Sequence, residues 1–256
     1  MPVEESANMI LMAAAIAKGD GNADYAAQYW SLFSKWARYL KEKGLDPEKQ
    51  IVTDDFTGPL AHNANLSVKA ILALGAYAGL SEQLGKKEEA ASYRRVAEQY
   101  VQQWQRSAAD GDHYRLAFDQ PSTWSQKYNL VWDKLLNLNL FPATIGRREI
   151  AFYKTKQNVY GVPLDSRAKY TKLDWLLWTA TVTDNQADFQ SLISPAYKFA
   201  NETRDRVPLT DFYETDSGKH DYFEGRSVVG GVFIKMLADE AIWKKWAGRA
   251  VKPEAR

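Results

Sequence analysis

TDDFTGPLAHNANLSVKAILALGAYAGL, residues 53–80, changes character halfway along. Its first half crowds Asp54, Asp55, Thr57, Gly58, Pro59, His62, Asn63 and Asn65 into one short stretch. Its second half, 64–80, is almost wholly small or apolar, so a helix formed there must be buried on nearly every face. The next stretch, 86–106, differs: Tyr93, Ala97, Tyr100 and Trp104 recur at three- and four-residue intervals opposite Glu89, Arg95, Glu98 and Gln102. That spacing predicts a surface helix with one buried stripe.

The same alternation recurs in both directions from this pair. An apolar stretch at 3–17 precedes an amphipathic one at 24–43, striped by Tyr29, Phe33, Trp36 and Leu40. Further pairs are predicted at 125–138 with 144–157 and at 168–182 with 186–203, the last kinked at Pro195. A final apolar helix is predicted at 227–246. Five buried and four half-buried helices imply two concentric rings, an all-α toroid of α/α hairpins. A closed toroid of six hairpins holds twelve helices, and Met1 begins directly on a buried one. The expectation is therefore a single domain over 1–256, incomplete at its N-terminus and belonging to a larger protein. Short extended pieces are expected at most at 160–164 and 207–213.

Connections from buried to half-buried helices are short, whereas those leading back are long and rich in polar and aromatic groups. They are MPVEESANM (1–9), the 53–65 segment, HYRLAFDQPSTWSQKYN (113–129), YGVPLDSRAKYTKLDW (160–175) and LTDFYETDSGKHDYFEGRSVVGG (209–231). Long ordered loops of this kind are usually functional. All five should share one face, where the N-termini of the inner helices favour negative charge.

Composition excludes several roles. The formal net charge is +1, with basic doublets scattered among acids, so no nucleic-acid track is expected. No apolar run reaches the roughly 20 residues that a membrane-spanning helix needs. The absence of cysteine removes disulfides, thiolate nucleophiles and Cys-ligated metal. His62, His113 and His220 lack metal-ligand spacing. Neither a phosphate-binding glycine loop nor a nucleophile elbow is present. No metal or cofactor is expected.

Carboxylates are the remaining chemistry. Glu4 and Glu5 occupy the first turn of a buried helix, where one acid would serve the helix dipole and the other would face the ring's centre. Asp165 and Arg167, two residues apart, form either a local ion pair or a clamp for a ligand carboxylate, and Arg226 is a second such arginine. Tyr170, Asp174 and Trp175 follow closely. Trp124, Tyr128 and Tyr213 are either core aromatics or ligand platforms, and Asp211 lies beside Tyr213.

The segments MPVEESANM, DDFTGPLAHNANLSVKAI, YGVPLDSRAKYTKLDW, PLTDFYET and GRSVVGG resemble, in order and spacing, the C-terminal six-hairpin domain of the glutaminase A family. The resemblance implies a glycosidase-like α/α toroid joined to an N-terminal β-rich domain, and hydrolysis of L-glutamine to glutamate and ammonia outside the cytoplasm, whether extracellular or periplasmic. Its partners would be a small-molecule substrate and the remainder of its own protein, without nucleic acid or membrane.

Amide hydrolysis without cysteine or metal needs a carboxylate to activate water, donors for the oxyanion and a proton source for ammonia. The expected roles are Asp54 or Asp55 as base, Glu5 as acid, and helix N-terminal amides near Asn63 as oxyanion donors. Arg167 or Arg226 would hold the substrate carboxylate, and Asp174 or Asp211 its ammonium. Glu4, His62, Asn65, Trp124, Tyr128, Tyr170, Trp175 and Tyr213 complete the expected substrate-binding set. Two alternatives stay open at this point: a glycoside hydrolase with two of these acids flanking a sugar linkage, and a non-catalytic module whose chemistry lies elsewhere.

Overall fold

A computed structural model describes residues 1–249. Helix α1, Pro2–Asp20, is followed by α2, Asp24–Gln28, and α3, Trp30–Lys43. A second hairpin joins α4, Ala64–Gln83, to α5, Lys87–Ala108. Next come a 3₁₀ turn, Tyr128–Leu130, running into α6, Val131–Leu135, then α7, Ala143–Thr155. Helices α8, Leu173–Thr181, and α9, Gln186–Glu202, form the fourth pair, and a 3₁₀ segment, Ser227–Ala238, precedes α10, Glu240–Ala247.

The composition of each helix decides its layer. Residues 64–78 of α4 are buried without a break, whereas α5 buries only Ala90, Tyr93, Ala97, Val101, Trp104 and Ala108. Helix α4 packs on α1 and on the 128–130 turn, that turn on α8, α8 on the 227–238 segment, and the latter on α10, which returns to α1. These elements form the inner ring. Helix α3 lies against α1 and α4, α5 against α4, and α9 against α8, forming the outer ring. The architecture is an all-α toroid.

Several boundaries depart from the periodicity. The 24–43 helix is interrupted at Tyr29. The third inner helix shrinks to the 3₁₀ turn and five residues of α6, because the Asp133 carboxylate accepts the Leu140 and Phe141 N–H groups and so stabilises the returning chain. The fourth starts only at Leu173, since Tyr170–Lys172 forms strand β3. The predicted 227–246 helix divides at Asp239, whose side chain caps α10 through the Ala241 and Ile242 N–H groups. Gly230 and Gly231 weaken an α-helix there. Helix α1 is not buried on every face: Met12 is 47% exposed. Helix α9 continues through Pro195.

Two small two-stranded sheets brace the loop pole. Strands β1, Ala109–Asp110, and β2, His113–Tyr114, are antiparallel, as are β3 and β4, Phe212–Glu214. The expected extended piece at 207–213 is thus realised as β4, shifted by a few residues, while Tyr160–Leu164 contributes only an isolated bridge at Gly161.

Candidate functional site

The polar segments meet at the N-terminal pole of the inner ring through specific bonds. The Thr53 N–H donates to Glu4 Oε2 at 2.6 Å, and Asn129 Nδ2 donates to the Asn65 carbonyl at 3.1 Å. Tyr128 stacks on Trp175, with centroids 4.4 Å apart and planes at 3°. Strands β3 and β4 tie the 160–175 and 209–231 segments together.

Glu4 is the inward acid of the first turn. It is 2% exposed and receives Lys69 Nζ on Oε1 at 2.5 Å. Glu5, one residue on, is turned by about 100° around the helix. It faces solvent beside Pro2, Ser6, Met9, Trp36 and Tyr39, so the acid role expected of Glu5 has no place in the cluster.

Asp54 lies beside Glu4. Its side chain is buried and Oδ1 has no hydrogen-bond partner. Burial, then the negative charge of Glu4, pushes its pKa up to about 6 against the pull of Arg167. Asp55 opens a 3₁₀ turn and is exposed, which removes it from the position of base. Its charge instead acts on Arg226 at the rim.

Tyr128 stands among the acids. Burial first, then Asp54, Glu4 and Asp174, holds its phenol far above the usual tyrosine range, so it remains a proton-bearing donor at neutral pH. Asn65 Oδ1 and Asn129 Oδ1 are also buried without hydrogen-bond partners, whereas Asp174 Oδ1 lies 3.3 Å from Lys172 Nζ. Burial raises the Asp174 pKa, Lys172 opposes that shift and Asp211 adds to it. Buried polar atoms are ordinarily satisfied. The unpaired oxygens of Asp54, Asn65 and Asn129 at one pole indicate a place for a ligand that carries N–H or O–H groups.

The arginines are already engaged. Arg167 binds Asp165 in two-pronged fashion, Nε to Oδ1 at 3.0 Å and Nη2 to Oδ2 at 2.6 Å, and Nη1 reaches the Thr57 carbonyl at 3.3 Å. It thereby fastens the 54–57 loop. Arg226 makes the same fork on Asp211, which Lys172 also binds. Burial alone would raise the Asp211 pKa, but the hydrogen bonds from Arg226 and Lys172 outweigh it and the net shift is downward. With both oxygens occupied, Asp211 is saturated and has no room for a substrate ammonium.

Other expected residues serve the scaffold. The Asn63 side chain caps α4, accepting the Asn65 and Leu66 N–H groups at 3.0 Å, while the Ala64 N–H goes to the Leu116 carbonyl. The amides expected to hold an oxyanion are therefore spent. His62 pairs with Asp46 at 2.7 Å on the outside, and that hydrogen bond raises its pKa. Trp124 is half-buried against Phe152 and Tyr153. Tyr213 stacks on Phe199 and donates to the Tyr160 carbonyl, in the core. Tyr170 packs on Phe56 and Phe212 at the edge of the cluster.

The structure thus assembles Glu4, Asp54, Asn65, Tyr128, Asp165, Arg167, Tyr170, Asp174, Trp175, Asp211 and Arg226. It adds Lys69, Lys172, Asn129 and Trp178, which sequence reasoning missed. Lys69 carried a signal, a lone cation inside an otherwise apolar run. Among the described residues, no three His, Cys, Asp or Glu side chains are grouped as metal ligands. A concavity of about 340 Å³ lies at the opposite pole, lined by Ala14, Lys18, Gly79 and Trp243 among others, and holds none of the clustered acids.

Comparison with known proteins gives concordant results. Residues 1–236 match the glutaminase A six helical-hairpin domain. The chain is 36% identical over 246 residues to the Aspergillus oryzae protein named "Glutaminase A", a match spanning 93% of this chain and 35% of that one. An Arthroderma benhamiae protein, named as a glutaminase by inference, is 31% identical over 244 residues, covering 83% of this chain and 28% of the relative. The chain therefore spans about a third of the length of these relatives. Among solved structures, an endo-1,4-D-glucanase from Vibrio fischeri superposes with a TM-score of 0.54 at 11% identity, over 92% of this chain and 79% of the other. That likeness concerns the fold.

Proposed function

Because this chain belongs to the glutaminase A six-helical-hairpin family, we propose that it hydrolyses L-glutamine to L-glutamate and ammonia at the pole where Glu4, Asp54, Tyr128 and Asp174 meet. The observation that supports this most is the state of Asp54: buried, with one oxygen unpaired, and with its pKa pushed up to about 6. Such a carboxylate is ionised at neutral pH yet basic enough to accept a proton, as a general base requires.

The reaction runs in two steps. Asp54 takes a proton from water as the water oxygen bonds to the amide carbon and the carbonyl electron pair moves onto oxygen. Collapse of that adduct breaks the carbon–nitrogen bond, and the nitrogen leaves as ammonia with the proton Asp54 held. The new carboxylic acid then ionises. Glu4, fixed by Lys69, does not donate a proton here; its charge keeps Asp54 basic. At the rim, the Arg226 Nη1 group, which lies outside the fork on Asp211, and the exposed Asp55 carry opposite charges suited to the α-carboxylate and α-ammonium of an amino acid.

The aromatic groups favour an amide over a sugar. Tyr128 and Trp175 stack on each other and Tyr213 stacks on Phe199, so these faces are turned inward rather than offered as platforms. Incubation of this chain, or a longer protein containing it, with L-glutamine should release ammonia, and incubation with β-glucans should release no reducing sugar. Sugar release without ammonia would overturn the reading.

A further inference from the structure

A general base must hold its oxygen still, yet Asp54 sits on a short turn rather than on a helix. The bonds within that turn are local: the Thr57 N–H and Oγ1 both donate to the Asp54 carbonyl, at 3.0 and 2.6 Å, and the Gly58 N–H donates to the Asp55 carbonyl at 3.0 Å. Among the described residues, two hydrogen bonds join 53–58 to other elements. The Thr53 N–H donates to Glu4 Oε2 at 2.6 Å, and Arg167 Nη1 donates to the Thr57 carbonyl at 3.3 Å. One lies before Asp54 in the chain and the other after it.

The arginine is itself fixed from behind. Its Nε and Nη2 close the fork on Asp165, whose Oδ1 also accepts the Arg167 N–H at 2.8 Å. Asp165 is 1% exposed, and the chain on either side of it is bonded to a neighbouring segment, the Gln126 N–H to the Leu164 carbonyl at 2.8 Å and the Ser166 N–H to the Trp124 carbonyl at 2.9 Å. With Nε and Nη2 spent, Nη1 reaches across to the turn. Lysine could not serve both ends, because an ammonium is a point charge and not a planar fork. Phe56 seats the same turn against Tyr170 and Phe212, with centroids 5.5 and 4.3 Å away.

Resting on the glutaminase reading, we propose that Arg167 is a positioning residue for the base and not a clamp for substrate: anchored on Asp165, it latches the Thr57 carbonyl and so holds the Asp54 carboxylate in place beside Glu4. The latch acts in two separable ways. Its hydrogen bond fixes the turn, and its positive charge favours the ionised form of Asp54. The groups facing Asp54 are Glu4 from α1, Tyr128 from the 128–130 turn, and Asp165, Arg167 and Tyr170 from the 160–175 segment, with Lys69 of α4 behind Glu4. Arg167 is the cation that opposes the upward shift of Asp54, so its loss carries that pKa higher still.

Two substitutions in the full chain separate these effects. Arg167→Lys keeps the charge and loses the fork; Arg167→Gln loses both. Amide hydrogen exchange at Thr57 and Gly58 should quicken on the order of tenfold in each variant, since a charged hydrogen bond to the turn is lost. The ¹³C titration of the Asp54 carboxyl, assigned by its disappearance in Asp54→Asn, should keep its midpoint at about 6 in Arg167→Lys and move to higher pH in Arg167→Gln. With L-glutamine, both variants should lose kcat by about 10–10²-fold while KM changes by less than about threefold. Unchanged exchange in both variants, a midpoint that fails to rise in Arg167→Gln, or a KM raised more than about tenfold at retained kcat, as loss of a substrate clamp would give, overturns the inference and leaves the glutaminase reading standing. Quickened exchange and a raised midpoint in a protein that releases no ammonia uphold the latch on Asp54 and overturn that reading. Should Arg167→Gln fail to fold because Asp165 is left charged and buried, the double variant Asp165→Asn/Arg167→Gln removes both charges and must still quicken the exchange; unchanged exchange there overturns the latch.

Discussion

The Glu4 carboxylate neighbours that of Asp54: the Thr53 N–H, one residue before Asp54, donates to Glu4 Oε2 at 2.6 Å while Lys69 holds Oε1. The two acids differ in circumstance. Glu4 is paired with a buried ammonium, and Asp54 keeps an oxygen with no partner.

Asp54→Asn should therefore separate stability from activity. A carboxyl whose folded pKa is raised stabilises the fold fully below its unfolded value of 3.8, and loses that contribution as pH rises through about 6. At pH 7 the wild type bears the whole cost of the buried charge. The amide should raise stability there by about 1–3 kcal/mol, measured by urea denaturation, and lower ammonia release by about 10²–10⁴-fold.

Glu5 and Glu4 should behave oppositely despite being neighbours in sequence. Glu5→Gln alters an exposed carboxylate and should change activity by less than about twofold, with stability within about 0.5 kcal/mol. Glu4→Ala leaves Lys69 buried and unpaired and should cost about 3–5 kcal/mol. Equal effects from the two would mean that the first turn of α1 is rotated from the arrangement described.

The charge cluster around Asp211 offers a comparison of burial. Asp211→Ala strips Lys172 and Arg226 of their shared partner in a fully buried position, and a loss of about 3–5 kcal/mol is expected. Asp216 pairs with Lys169 in solvent, so Asp216→Ala should cost no more than about 1 kcal/mol. Thermal denaturation of both variants in one buffer decides the matter.

Two glycines test the ring packing. A Cβ at Gly44 would lie 2.5 Å from the Leu40 carbonyl oxygen and 2.7 Å from Ala70 Cβ, where α3 closes on α4, so Gly44→Ala should destabilise by about 1–3 kcal/mol. Gly79, inside α4, has open space around its Cβ position, and Gly79→Ala should stabilise by about 0.5–1 kcal/mol.

Much of this architecture was readable in the chain, for a physical reason. The unbroken burial of α4 requires an apolar run, and the single buried face of α5 requires a stripe, so layer membership is written in local composition. The convergence of the polar segments follows from that alternation. What stayed hidden depends on register and on distant partners. Glu4 and Glu5 are chemically alike, and only the rotation of α1 against α4 decides which meets Lys69. Asn63 reads equally as a ligand or a cap until its bonds to Asn65 and Leu66 are seen. Nothing local in the sequence marks Trp178, whose indole N–H ends without a hydrogen-bond partner. The 227–246 helix was misjudged because capping by Asp239 and the Gly230–Gly231 pair outweighed the apolar pattern.

The pH dependence of kcat/KM for L-glutamine, in the wild type and in Glu4→Gln, tests most directly whether a buried, charge-crowded Asp54 activates water. The wild-type rate should rise with pH through a limb centred at about 6. In Glu4→Gln that limb should move to lower pH without reaching 3.8, because burial, the larger cause, remains. A limb centred near the ordinary carboxylate value and unmoved by the substitution would contradict the account.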